Sequence, residues 1–138
     1  MKVLVDTSVW SLVLRRSKIH NREMEEELSA LIDEARVEII GPIRQEILSG
    51  IKSQSQFQKL RFYLSAFPDL KLTERDFEQA AEYFNRCRAK GIQGSNTDFL
   101  ICSAAVSNDL EIFTLDDDFK NFQKFISIKF YKSRFLKS

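Results

Sequence analysis

The sequence of 138 residues is poor in the residue types that usually announce a site. It has one histidine, two cysteines, two prolines and four glycines. A single histidine, His20, excludes an acid–base mechanism run by a histidine pair. Cys87 and Cys102 form no short pairing motif, and Cys102 falls in an apolar helical run. Two reduced thiols in a cytoplasmic protein are therefore expected. So few glycines and prolines leave no linker, repeat or low-complexity stretch, and residues 1–138 read as a single domain. No stretch approaches the ~20 apolar residues that span a bilayer. The opening apolar run is too short for a signal peptide. No charge of one sign dominates: the formal net charge is +1.

What is present is unevenly placed. Residues 119–138 carry six basic side chains (Lys120, Lys124, Lys129, Lys132, Arg134, Lys137) and no acid, leaving 15 basic and 20 acidic groups elsewhere. That basic stretch could grip phosphates or simply solvate an edge strand, as could Arg15, Arg16 and Lys18. Phe119, Phe122 and Phe125 recur at i, i+3 and i+6, which favours core packing over base stacking. Trp10 and Leu14, at i and i+4, suit either the core or an apolar groove for a partner.

Short apolar runs alternate with helical patterns. Strands are expected at Val3–Val5, Val37–Ile40, Leu70–Leu72, Ile112–Leu115 and Ile126–Phe130. Helical periodicity marks Ser8 to about Arg15, with Thr7 or Ser8 as N-cap, and the set Met24, Leu28, Leu31, Ile32 and Ala35. Pro42 opens a helix that stops near Gly50. Another pattern runs through Phe57, Leu60, Leu64 and Phe67. Thr73 caps a helix with Phe77, Ala80, Ala81 and Phe84 on one face. Thr97 to about Ser107 is almost wholly apolar and so central. Strands separated by helices imply a mostly parallel central sheet with helices on both faces, a three-layer α/β sandwich of Rossmann-like type.

Four acids stand at element junctions. Asp6 ends the first strand and Asp116 follows a later one. Glu46 and Asp98 fall in the first turn or so of helices. Singly, each has an ordinary explanation as a cap, a turn residue or a solvated side chain. Together, at one edge of a parallel sheet, they would repel one another unless a cation balanced them. Carboxylates without histidine or cysteine select Mg²⁺ or Mn²⁺, whose chemistry is phosphoryl transfer or phosphodiester hydrolysis.

Four blocks carry a resemblance: Val5-Asp6-Thr7-Ser8-Val9-Trp10, Pro42-Ile43-Arg44-Gln45-Glu46-Ile47-Leu48, Thr97 through Ala105, and Phe113-Thr114-Leu115-Asp116-Asp117-Asp118-Phe119. In order and spacing the chain resembles a PIN-domain protein, and in size the VapC toxins of type II toxin–antitoxin pairs. The resemblance implies a PIN-like fold and a Mg²⁺- or Mn²⁺-dependent endoribonuclease held in check by a cognate antitoxin. It also implies a homodimer in the cytoplasm, with no membrane contact. It assigns the four acids to Asp6, Glu46, Asp98 and Asp116 as metal-binding and catalytic groups. Asp118 takes an auxiliary acidic position, and Thr7 and Thr114 take hydroxyl positions beside the acids. Asp6, Asp98 and Asp116 would hold one or two ions, with Glu46 acting through water or completing a second site. Attack by water would leave 5′-phosphate and 3′-hydroxyl ends.

Other readings fit less well. A haloacid-dehalogenase-like phosphatase needs a second acid where Ser8 stands. A receiver domain needs an aspartate at the end of a middle strand, which neither Ile40-Gly41 nor Leu72-Thr73 supplies. A non-toxin RNA-processing nuclease, or a catalytically silent PIN scaffold that binds RNA or protein, remains open, although the four intact acids count against the silent scaffold.

Overall fold

A computed structural model describes residues 1–14 and 21–134. Strand β1, Val3–Val5, is wholly buried. It pairs in parallel with β2, Val37–Glu38, on one side and with β3, Glu111–Phe113, on the other. Strand β4, Lys129–Phe130, adds in parallel to β3, giving the order β2-β1-β3-β4. A central strand flanked on both sides and covered on both faces has no place for a polar side chain, which is why β1 reads Val-Leu-Val.

Helices α1, Thr7–Leu14, and α2, Arg22–Asp33, connect β1 to β2. Helices α3, Gly41–Leu48, α4, Gln54–Leu64, α5, Glu74–Arg88, and α6, Asn96–Ser107, connect β2 to β3. A short helix α7, Asp118–Phe122, leads to β4. The chain moves one way along the sheet from β1 to β2 and the other way from β2 to β3. Right-handed crossovers in opposite directions put their helices on opposite faces. This is the expected three-layer α/β arrangement, and the direction reverses between β1 and β3.

The strands are shorter than the apolar runs that announce them. The run Val37–Ile40 pairs as a strand only through Glu38. The expected strand Leu70–Leu72 reduces to one parallel bridge, between Ile39 and Asp69. Residues 126–128 turn instead of pairing, with the Ile128 amide donating to the Ile126 carbonyl at 2.8 Å. Phe67, expected inside α4, lies beyond its end and packs edge-on against Trp10, ring centroids 5.4 Å apart. Trp10 is fully buried and belongs to the core.

Two helices carry capping boxes. In α5, Thr73 Oγ1 accepts from the Asp76 amide and the Asp76 carboxylate accepts from the Thr73 amide. In α6, Ser95 and Asp98 make the same exchange. The inward face of α5 is Asp76, Ala80, Tyr83 and Cys87, one residue round from the expected face. Phe77 is left 54% exposed. A polar seam sets that rotation: Ser103 Oγ on α6 donates to the Asp76 carbonyl at 2.7 Å, and Gln79 Nε2 donates to Ser103 Oγ at 3.0 Å. Phe119 and Phe122 are fully buried and Phe125 partly so, as core residues. Both cysteines are free and buried. Among the described residues no helix is long and apolar enough to cross a membrane.

Candidate active site

Asp6 is the first residue past β1 and is only 7% exposed. Its amide donates to the Phe113 carbonyl of β3 at 2.9 Å, and its carbonyl accepts the first helical bonds of α1, from Val9 and Trp10. Thr7 and Ser8 are therefore inside the helix and cap nothing; their hydroxyls serve the acids. Ser8 Oγ donates to Asp6 Oδ2 at 2.8 Å and Thr114 Oγ1 donates to the same oxygen at 2.7 Å. Thr7 Oγ1 donates to Glu46 Oε1 at 2.7 Å, tying α1 to α3 across the cleft.

Asp98 reaches the cleft from the first turn of α6. Its capping bond to the Ser95 amide, 3.0 Å, uses Oδ2 and fixes the side chain. Burial pushes the Asp98 carboxyl above its ordinary pKa. The Ser95 bonds oppose this, and the charges of Asp116 and Asp6 add to the rise. Asp98 therefore senses the other two aspartates as uncompensated neighbours.

Asp116 lies three residues beyond β3, not directly at its end. Thr114 stops the strand: once its hydroxyl is committed to Asp6, it also accepts from the Asp116 amide at 3.0 Å, and the chain turns. Asp116 Oδ1 accepts from the Asp118 amide at 2.9 Å, an Asx-type turn that starts α7. Asp118 itself is exposed and does not line the cleft. Glu46 sits in the second turn of α3, deeper than its expected position, because the helix begins at Gly41. Ile43 and Ile47 bury the opposite face.

Asp6, Glu46, Asp98 and Asp116, from four separate elements, line one cleft of about 640 Å³ together with Thr7 and Ser8. It lies where the crossover direction reverses between β1 and β3, the place where ligands bind in open parallel sheets. Gln45, Ser49 and Thr97 also line it, and sequence reading did not single them out. In the sequence Ser8 suits a helix cap and stands where a phosphatase of the haloacid-dehalogenase type has an acid, and neither reading brings its hydroxyl to Asp6. A serine two residues after a strand-end aspartate was the one available signal of its contact with Asp6.

Four of the six basic residues near the C-terminus have local partners. Lys129 pairs with Asp109 at 2.7 Å, Lys120 with Asp117 at 3.2 Å and Arg134 with Glu34 at 2.7 Å, while Lys124 donates to Asn121. Arg15, Arg16, Lys18, His20 and Lys137 lie outside the described residues. Leu14 lines a separate groove with Ile51 and Leu60.

A parallel α/β fold with carboxylates and hydroxyls gathered at the switch point of its sheet is the architecture of PIN domains. Residues 3–124 match that domain family. The chain is 31% identical over 120 residues to the VapC ribonuclease Mb1587 of Mycobacterium bovis, covering 85% of this chain and 88% of that protein. The chain belongs to the PIN-domain family, among relatives of the VapC type. Among solved structures, it is similar to VapBC2 from Rickettsia felis bound to a DNA fragment from its promoter, with TM-score 0.76, 18% identity, and coverage of 95% of this chain and 98% of that one. It is also similar to FitAcB from Neisseria gonorrhoeae, with TM-score 0.76, 20% identity, and coverage of 97% and 99%. These two likenesses establish the fold.

The donor set fits a hard divalent cation: carboxylate and hydroxyl oxygens, with neither histidine nor cysteine among the cleft residues. Among the described residues no three acids, histidines or cysteines cluster tightly enough to enclose an ion directly. An open cleft of this kind suits a cation that retains part of its water shell.

Proposed function

We propose that this chain is the toxin component of a type II toxin–antitoxin pair, a VapC-like endoribonuclease dependent on Mg²⁺ or Mn²⁺ and inhibited by its cognate antitoxin. It acts in the cytoplasm as a single PIN domain that pairs into a homodimer. The observation that carries the reading is the gathering of Asp6, Glu46, Asp98 and Asp116 from four elements into one cleft at the switch point. The relationship to a VapC ribonuclease and the fold shared with VapBC complexes support it.

Asp6, Asp98 and Asp116 would hold the cation, and Glu46 would act through a water molecule or complete a second site. Such a cation, when bound, lowers the pKa of coordinated water and offsets charge on a transferring phosphoryl group. The chain's own residues do the rest. Ser8 and Thr114 hold Asp6 Oδ2 in one position. The Ser95 capping bond fixes Asp98 and leaves its other oxygen for the cleft. Thr7 keeps Glu46 turned inward. These contacts order the acids before substrate arrives, so little reorganisation remains for the reaction.

The test is cleavage of total cellular RNA by the purified protein with Mg²⁺ or Mn²⁺, beside Asp6→Asn and beside EDTA. Discrete cuts with 5′-phosphate and 3′-hydroxyl ends, lost in both controls, are expected. A 2′,3′-cyclic phosphate end would overturn the mechanism, because it requires the ribose 2′-hydroxyl as attacker. No cutting of any RNA would leave a binding scaffold.

A further inference from the structure

We propose that a second cavity, beside the acidic cleft, takes one nucleobase of a single-stranded RNA next to the scissile phosphate, and that Leu115 sets the base preference there while Lys120 holds a neighbouring phosphate. The inference rests on the endoribonuclease reading and adds to it the part of the substrate read by this chain.

The cavity measures about 320 Å³, at the small end of ligand-binding sites. Its wall includes Phe130 and Tyr131 from the end of β4, Thr114, Leu115 and Asp116 from the turn after β3, and Lys120 from α7. Asp116 lines both this cavity and the acidic cleft. Thr114, whose hydroxyl holds Asp6, is part of the same ridge. A strand with its phosphate in the cleft therefore meets the cavity across Asp116.

The lining suits a base. Single-stranded RNA is read by splaying bases onto aromatic side chains. Tyr131 is a fixed wall: its ring packs on Phe113 with centroids 5.1 Å apart, the Arg36 guanidinium lies over it 5.7 Å from its centroid, and its hydroxyl donates to Glu27. A base meets what these contacts leave open of the ring, beside Phe130 and Leu115. A wall already fixed loses little freedom when a base docks. Leu115 is 45% exposed, while its backbone amide is pinned to Ser8 Oγ at 3.0 Å. A lone exposed leucine would mean little. Here it shares a cavity with an aromatic wall and stands next in the chain to Asp116 of the candidate metal cleft. Lys120 supplies the cation that the acidic cleft lacks. Its pairing with Asp117 joins two side chains that are 75% and 88% exposed, and such pairs exchange readily for a phosphate.

The experiment is digestion of a randomised single-stranded RNA by the full chain with Mg²⁺, with the ends sequenced, for wild type, Leu115→Ala and Lys120→Ala. Melting curves establish that each variant is folded. Wild type is expected to prefer one base at one position flanking the cut, and Leu115→Ala to reduce that preference about tenfold, the scale of one lost base contact. Lys120→Ala is expected to raise KM more than it lowers kcat. An oligonucleotide abasic at that position should be cut equally by wild type and Leu115→Ala. If wild type cuts and folded variants give the same end profile, the cavity inference is overturned while the nuclease reading stands. Cutting without base preference overturns it too. If wild type cuts nothing, the nuclease reading fails and takes this inference with it.

Discussion

Asp6 Oδ2 accepts hydrogen bonds from two hydroxyls at once, those of Ser8 and Thr114. Removing either donor leaves a nearly buried carboxylate freer to turn. Ser8→Ala and Thr114→Val are each expected to reduce RNA cleavage by about 10- to 100-fold, the usual effect of losing a partner that orients a metal ligand. The Mg²⁺ concentration for half-maximal rate should rise in both; a fall in rate without that shift would mean the hydroxyls act only on the fold. Asp98 yields a pH test. Its folded carboxyl binds a proton more tightly than an unfolded one, because burial and the neighbouring aspartates disfavour its charge. Without metal, this group contributes stability at acid pH that is lost as pH rises through its folded pKa. A divalent cation binds the charged form. The gap in Tm between Mg²⁺ and EDTA should therefore widen as pH climbs above the ordinary aspartate range, ~3.9, and Asp98→Asn should narrow it. The three aspartates were legible in the sequence because each follows an apolar run or opens a helix, whereas Glu46, in the second turn of α3, was legible only through the resemblance. Of the hydroxyls that hold these acids, Thr7 and Thr114 were legible through the resemblance, whereas the Ser8 contact with Asp6 was not, since a serine at that position equally suits a cap.

The elements that deliver these residues depend on contacts far apart in the chain. The loop before α6 passes so close to two rings that a Cβ on Gly94 would lie 2.6 Å from Phe122 and 2.9 Å from Phe99. Those buried rings pack against each other, tilted, with centroids 4.7 Å apart, so moving one to make room presses on the other. Gly94→Ala is expected to cost about 1–3 kcal/mol, as overpacking does, and to shift the start of α6 and with it Asp98. At Gly41 the nearest atom to a new Cβ is Asp69 Oδ2 at 3.7 Å, an ordinary contact, so Gly41→Ala should leave Tm nearly unchanged. Urea unfolding of the two variants side by side decides the matter; equal losses would exclude the ring contact as the cause. Gly94 was visible as a loop glycine, but its need to be glycine was not, because Phe122 comes much later in the chain. Helix α6 and strand β1 were legible since burial on all sides leaves no polar residue to mislead. Helix α5 misled because its inward face begins with Asp76, which satisfies itself in a capping box, while apolar Phe77 is left in solvent.

At the scale of the molecule, residues 131–134 are tied back to α2 through a fully buried carboxylate, Glu27. It accepts from the Tyr131 and Ser133 hydroxyls and from the Arg134 amide, with the Arg134 guanidinium 3.7 Å away. Nothing in the sequence marks Glu27, which looks like one more acid in an acidic helix; only the fold brings residues 131–134 to it. A buried charge of this kind tolerates loss of the whole arrangement better than loss of half of it. Tyr131→Phe with Ser133→Ala strips two donors and leaves the carboxylate in place. That pair is expected to cost about 2–5 kcal/mol, since an under-satisfied buried charge bears its desolvation penalty. Adding Glu27→Met, which fills similar space without charge, should recover part of that loss, so the triple variant should melt above the double one. If all three changes simply add, the donors stabilise residues 131–134 independently of Glu27, and the coupling argued from their convergence is absent. If they couple, the same tie that closes the fold also holds Tyr131 as the wall of the cavity beside Asp116. The double variant should then lose base preference in RNA cleavage along with stability.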